Sequence, residues 1–251
     1  MELDEHLNFD VREGIGWLTL DRPAAKNAMT KSMYAGIRDV CRRVRTDDEI
    51  QVLVIQGVSG AFTVGGDLKE VLEMLREGDA AGVVAYGDYL PFEALRSLPK
   101  PTIALINGLC MGGGLTLALM CDIRIATSQS RFAIPEAKVG IVDAHLPRLL
   151  RERVPAARLR YWLYTGATFS ATEAYHAGIL TMVVDSEEVD NVLSRTIQEL
   201  QSSSPQAIEL LKSILTETWT LPGMNDANTT LLGDDARGRI AEFAERSARR
   251  R

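Results

Sequence analysis

Two glycine-rich turns hold the residues best suited to chemistry, "GAFTVGGDLKEV" (60–71) and "NGLCMGGGLTLA" (107–118). Each is entered from an apolar, strand-like run and leads into a helix-like one. A helix N-terminus leaves backbone N–H groups unpaired and carries partial positive charge, so it can hold an anionic oxygen where no side chain blocks the approach. Glycine gives that access. Its entropic cost means that Gly112, Gly113 and Gly114 at the start of an apolar helix need a reason. A tight strand-to-helix turn would explain either stretch alone, whereas the two together point to an oxyanion site.

Other signatures of chemistry are missing from the sequence. There is no P-loop lysine pattern, and "GVSGA" (57–61) has Ala61 where a nucleophile elbow needs glycine. The glycine triplet has the wrong spacing for a dinucleotide fingerprint, although its place after a strand leaves that reading open. His6, His145 and His176 are scattered, and Cys41, Cys110 and Cys121 lack metal-ligand spacing, so no metal is expected.

The elements that must position these turns alternate. "GWLTLDR", "TKSMYAGIRDVCRRVRTDD" and "IQVLVIQG" read as strand, helix, strand. A helix-like "VVAYGDYLPFEALRSL", a strand "PTIALING" and the helix "LTLALMCD" follow, then short strands in "IRIATSQSRFAIPEA". "PAARLRYWLYTGATFSATEAYHAG" is mostly helical, with Ser170 as an N-cap and Glu173 three residues on. A last strand, "ILTMVVD", precedes helical signals in "VDNVLSRTIQELQSSS", "SPQAIELLKSILTETW" and "DDARGRIAEFAERSARR". The expected organisation is an α/β core over 1–190 and a helical C-terminal region over 191–251.

The bulk composition sets limits on partners. A net charge of -6 argues against nucleic acid, and the terminal "RSARRR" reads as a solvated tail. No segment approaches the roughly 18 uninterrupted apolar residues of a membrane span, and the acidic N-terminus lacks a signal-like apolar stretch. Three cysteines in apolar surroundings suit buried thiols in a reducing compartment. A cytoplasmic location is therefore expected.

Five stretches in register resemble the crotonase superfamily, the enoyl-CoA hydratase and isomerase family. They are "LDRPAAKNAMT", "AFTVGGDLKEV", "INGLCMGGGLTLALMCDIRIA", "RFAIPEAKVGIV" and "TGATFSATEAYHAGI". The resemblance covers nearly the whole chain. It implies a spiral of β-β-α turns and a homo-oligomer, a trimer or a pair of trimers. It also implies an acyl-CoA thioester substrate, with coenzyme A part of the substrate and no separate cofactor, and an enolate held by two backbone N–H groups. By motif position these belong to Gly66, just before Asp67, and to Gly113. Losing one such donor typically costs about 2.7 to 4 kcal/mol of transition-state stabilisation. The CoA moiety would run along residues 23–28 and 62–69, with the Val64 backbone near it and Lys26 and Lys69 as candidate phosphate contacts. Asp67 and Thr116 fall in the same substrate-binding set.

The resemblance makes Glu136, in "FAIPEAKVG", the general acid/base. An apolar pocket would raise its pKa towards neutrality, as proton transfer requires. The second glutamate of family hydratases would fall at Thr116, whose hydroxyl cannot take a proton near pH 7. Single-base relatives move a proton between C2 and C4 with one glutamate, so isomerisation is expected slightly ahead of hydration. "GIVDAHLPRLL" (140–150) lacks the family's glycine-rich turn and offers Asp143 and His145 as alternative second proton carriers. On this reading Thr116→Glu should raise hydratase activity. The alternative is a homologue that binds acyl-CoA, or a partner protein, without turnover.

Overall fold

The computed structural model describes residues 3–58, 60–77, 89–140, 143 and 145–216. The chain opens with an antiparallel hairpin, β1 (Leu7–Arg12) and β2 (Ile15–Leu20), whose turn residues Glu13 and Gly14 both have positive φ. That turn geometry matches the twist of the flanking strands. β1 adds a strand to those expected. Its signal is a simple alternation, with Leu7, Phe9 and Val11 inward and Asn8, Asp10 and Arg12 exposed.

Helix α1 (Lys31–Thr46) follows, capped by the Thr30 hydroxyl, which accepts from the Met33 amide at 3.2 Å. It buries Met33, Ile37, Val40 and Val44, the three-and-four spacing of one helical face. From here the chain repeats one motif. β3 (Val52–Gly57) joins a first sheet, the backbone bends, and β4 (Ala61–Thr63) joins a second sheet before α2 (Leu68–Arg76). After α3 (Phe92–Arg96), β5 (Thr102–Ile106) and β6 (Leu109–Met111) divide in the same way and lead into α4 (Gly113–Met120). β7 (Ile123–Thr127) and β8 (Arg131–Ala133) divide once more.

The first sheet has the order β1-β2-β3-β5-β7-β10 and the second β4-β6-β8-β9, with β9 at Phe169–Ser170 and β10 at Met182–Val184. All pairings from β2 to β10 in the first sheet are parallel, as are β4 with β6 and β6 with β8. This is the expected α/β spiral of β-β-α turns. The core lies where Leu18, Leu20, Leu53 and Ile55 meet α1, α4 and the phenylalanines Phe62, Phe132 and Phe169 of the second sheet.

The other α-helices among the described residues are α5 (His145–Leu150), α6 (Ala156–Thr165), α7 (Ala171–His176), α8 (Val189–Gln201) and α9 (Pro205–Thr216). The Ser170 cap forms as expected, a reciprocal capping box with Glu173. Leu193 and Ile197 of α8 cover Val52, Val54, Ile103, Leu105 and Ile125 on the outer face of the first sheet. Strands buried on both faces read as the unbroken apolar runs seen in the sequence. Lys212 of α9 donates to Asp122 Oδ2 at 2.6 Å, and the same oxygen accepts from the Thr102 amide and hydroxyl, each at 2.8 Å.

The three cysteines are buried, and burial pushes the thiols of Cys41 and Cys121 up to about 12. Among the described residues no group of metal-ligating side chains comes together, and no helix is long and apolar enough to cross a membrane. Residues 83–88 of the expected helix-like span 83–98, the expected helix at 234–250 and the C-terminal region beyond 216 lie outside the described residues, while Phe92–Arg96 of that span is helical as α3.

Candidate active site

β4, β6 and β8 are neighbouring parallel strands, so their C-terminal ends deliver three turns side by side: Val64–Asp67, Gly112–Gly114 and Pro135–Glu136. Ligands in α/β sheets bind at such strand ends. Gly65 and Gly113 meet backbone to backbone, and a Cβ on Gly65 would stand 3.0 Å from the Gly113 nitrogen. A Cβ on Gly113 would in turn lie 3.7 Å from the Gly66 nitrogen. Gly113 is the first residue of α4, so its N–H has no acceptor within the helix. The amides on either side of Gly66 are committed, Gly65 to Thr63 Oγ1 at 3.1 Å and Asp67 to the Met29 carbonyl at 2.9 Å. Gly65, Gly112 and Gly114 are buried, whereas Gly66 and Gly113 are half-buried.

Each glycine of the triplet meets a separate need. Gly112 has φ +52, and a Cβ there would overlap Glu136 Oε1. A Cβ on Gly114 would press on the Thr63 carbonyl at 2.5 Å, so close packing of α4 on β4 requires its absence. Gly113 alone of the three faces the space shared with Gly66.

The Gly66 turn is held from behind. Arg22 Nη1 donates to Asp67 Oδ2 at 2.5 Å and to the Ala28 carbonyl at 3.0 Å. Asp67 Oδ1 accepts from the amides of Lys69 and Glu70 at the start of α2 (2.8 and 3.4 Å). Burial raises the Asp67 pKa, but the hydrogen bonds from Arg22 and Lys69 outweigh it and hold the carboxyl below its usual range. Asn27, fully buried in a left-handed conformation (φ 57), donates to the carbonyls of Val58 and Ala61 and accepts from the Arg22 amide. The sequence assigns Arg22 no role and Asn27 only a place in the 23–28 stretch expected along CoA; the signal for both is their place in the motif "LDRPAAKNAMT". Lys26 and Lys69 are exposed on the two segments that flank this turn, and Val64 is half-buried between β4 and Gly65.

Glu136 opens a short 3-10 turn, Glu136–Val139, directly beyond β8. Its Oε2 is buried and has no hydrogen-bond partner among the described residues. Burial pushes the carboxyl above its ordinary 4.5, its own backbone amide pulls it down, and the charge of Asp143 pushes it further up. A half-buried carboxyl with a raised pKa and one oxygen unpartnered among the described residues is suited to carrying a proton.

Thr116, on α4, is fully buried, and its hydroxyl donates to Asp143 Oδ2 at 2.6 Å. Asp143 Oδ1 caps α5, accepting from the amides of His145 (2.7 Å) and Leu146 (3.2 Å). His145 Nδ1 lies 3.4 Å from the same oxygen, and its ring packs edge-on against Phe92 with centroids 5.0 Å apart. The structure thus gathers Gly66, Gly113, Thr116, Glu136, Asp143 and His145 at one place, and a carboxylate stands beside position 116 although residue 116 is threonine.

Residues 10–233 match the enoyl-CoA hydratase/isomerase family. A crotonyl-CoA hydratase of Syntrophomonas wolfei is 31% identical over 219 residues, covering 85% of this chain and 82% of its own length. A carnitinyl-CoA dehydratase of Citrobacter koseri is 34% identical over 227 residues, covering 88% and 84%. Among solved structures, an enoyl-CoA hydratase/carnithine racemase from Magnetospirillum magneticum superposes with a TM-score of 0.88 at 25% identity, over 97% of this chain and 94% of that one.

Proposed function

The chain belongs to the enoyl-CoA hydratase/isomerase family, and from that premise we propose that it adds water to, or removes it from, the double bond of an acyl-CoA thioester. The Gly66 and Gly113 amides hold the thioester oxygen as it becomes an enolate. Glu136 gives or takes the proton at C2. Asp143, at the α5 N-terminus, orients water with Thr116 and takes its proton as the water oxygen bonds to C3. Lys26 and Lys69 contact the CoA phosphates, the Val64 backbone borders the pantetheine, and Asp67 with Arg22 fixes the Gly66 turn. His145 orients Asp143.

The observation that carries this reading is the 2.6 Å bond from Thr116 to Asp143, which supplies a second carboxylate where a single-glutamate site would have none. The relatives named above are hydratases and dehydratases, which supports hydration and lends nothing to the isomerase preference of the sequence reading. Isomerisation by Glu136 alone keeps one observation in its favour. Both Asp143 oxygens are engaged, while Glu136 Oε2 has no partner among the described residues.

The test uses trans-2-enoyl-CoA and 3-enoyl-CoA, with the conjugated thioester absorbance as the readout. Hydration bleaches the first substrate, and Asp143→Asn lowers that rate by about 10²- to 10⁴-fold, the usual span of general acid–base catalysis. A gain of absorbance on 3-enoyl-CoA that survives Asp143→Asn but not Glu136→Gln would establish isomerisation instead. If neither ester changes over a chain-length series, the hydration reading fails for these substrates.

A further inference from the structure

The apolar face of α1 carries one hydroxyl in the middle of its buried stripe. Tyr34 is 2% exposed, between Met33 and the fully buried Ile37. Its hydroxyl does not end in the aliphatic core. It would stand 3.0 Å from a Cβ on Gly113 and 3.6 Å from one on Gly66. The missing methyl of Gly113 thus marks a point 3.0 Å from the Tyr34 hydroxyl and 3.7 Å from the Gly66 nitrogen. The ring is held edge-on by Phe92, with centroids 6.1 Å apart at 82°, and the same Phe92 packs against His145.

We propose that the Tyr34 hydroxyl is a third hydrogen-bond donor to the substrate's thioester oxygen, beside the amides of Gly66 and Gly113. This rests on the reading of those two amides as the oxyanion site and extends it to a side chain on a different element. Burial raises the phenol above its ordinary value, and the charges of Asp143 and Glu136 add to the shift. The group therefore stays protonated at neutral pH, and it feels both carboxylates of the site. The contribution of a neutral donor grows as charge develops on its acceptor, from the carbonyl ground state to the enolate.

The test compares two esters on one variant. Butyryl-CoA presents a neutral thioester carbonyl, whereas acetoacetyl-CoA can bind as its enolate, which is followed by its near-ultraviolet absorbance. Tyr34→Phe keeps the ring and its contact with Phe92. It is expected to weaken acetoacetyl-CoA by about tenfold or more, the loss of one hydrogen bond to a charged group, with butyryl-CoA changed less than about twofold. The ratio of the two affinities within one variant does not depend on how much of the protein is folded. Equal weakening of both esters, or no change in either, overturns the assignment of Tyr34 while leaving the two amides in place. If the wild-type protein binds neither ester, the oxyanion reading falls and the role of Tyr34 falls with it.

Discussion

The Thr116 hydroxyl and the Asp143 carboxylate are joined by a 2.6 Å hydrogen bond between the buried helix α4 and the N-terminus of α5. The pair brings a carboxylate from a residue 27 positions away to the side of a threonine that cannot itself move a proton. The pairing of hydroxyl and carboxylate is therefore a property of two elements meeting.

Thr116→Glu tests that relationship. Read from the sequence, the substitution restores a missing glutamate and should raise hydratase activity. In the structure it pushes a second carboxylate against Asp143 in a buried position, where like charges cannot both ionise cheaply. The single variant is expected to have a lower melting temperature and a hydration rate no higher than wild type. Combining it with Asp143→Asn removes the repulsion and should recover both, as thermal unfolding and enoyl-CoA absorbance would show.

Glu136→Gln separates catalysis from stability. Proton exchange at C2, followed with acyl-CoA in deuterated water, is expected to fall by about 10²- to 10⁴-fold. Stability should move the other way. The folded pKa lies above the unfolded one, so the wild-type protein binds more protons folded than unfolded between those values. The associated stability is complete below the ordinary carboxyl pKa and is lost as pH rises through the raised one. The melting temperature of Glu136→Gln relative to wild type should accordingly rise between pH 4 and neutrality. A flat difference across that range would contradict the burial of this carboxyl.

Neighbouring glycines should respond differently to alanine. Gly66→Ala keeps the N–H, has no positive φ to oppose it, and places a methyl in ordinary contact with Tyr34, so the protein should fold with near wild-type stability. Gly112→Ala combines φ +52 with an overlap onto the Glu136 carboxylate. It is expected to cost about 1–3 kcal/mol in denaturant unfolding and to abolish activity by displacing Glu136.

Asn27→Ala removes one buried amide that serves β4 and the Arg22 loop together. The carbonyls of Val58 and Ala61 lose their donor, and alanine is less suited to the left-handed backbone than asparagine. A loss of about 2–4 kcal/mol in unfolding free energy is expected. Because this loop pairs Met29 with Gly66, acyl-CoA turnover should drop even where the variant remains folded.

The sequence by itself determined the family and the alternation of elements, together with the two glycine turns and Glu136. Those features are local: apolar runs of strand length, a capping box at Ser170 and Glu173, and motifs in register. It also marked Thr116 as a departure from the hydratase pattern. β1 was present as an alternation over only six residues, too short a pattern to stand out in an acidic terminus. What stood at position 116 in place of glutamate was decided only when α5 docked on α4 and brought Asp143 to the threonine. The partition of the triplet was decided the same way, since Gly112 answers to Glu136 beyond β8, Gly114 to Thr63 on β4, and Gly113 to Gly66 and Tyr34. Tyr34 was one more position on a helical stripe until α1 packed against the strand ends. Periodicity and spacing report what a residue does within its own element. A hydrogen bond between residues far apart in sequence depends on how separate strands and helices end beside one another, which only the packed core sets.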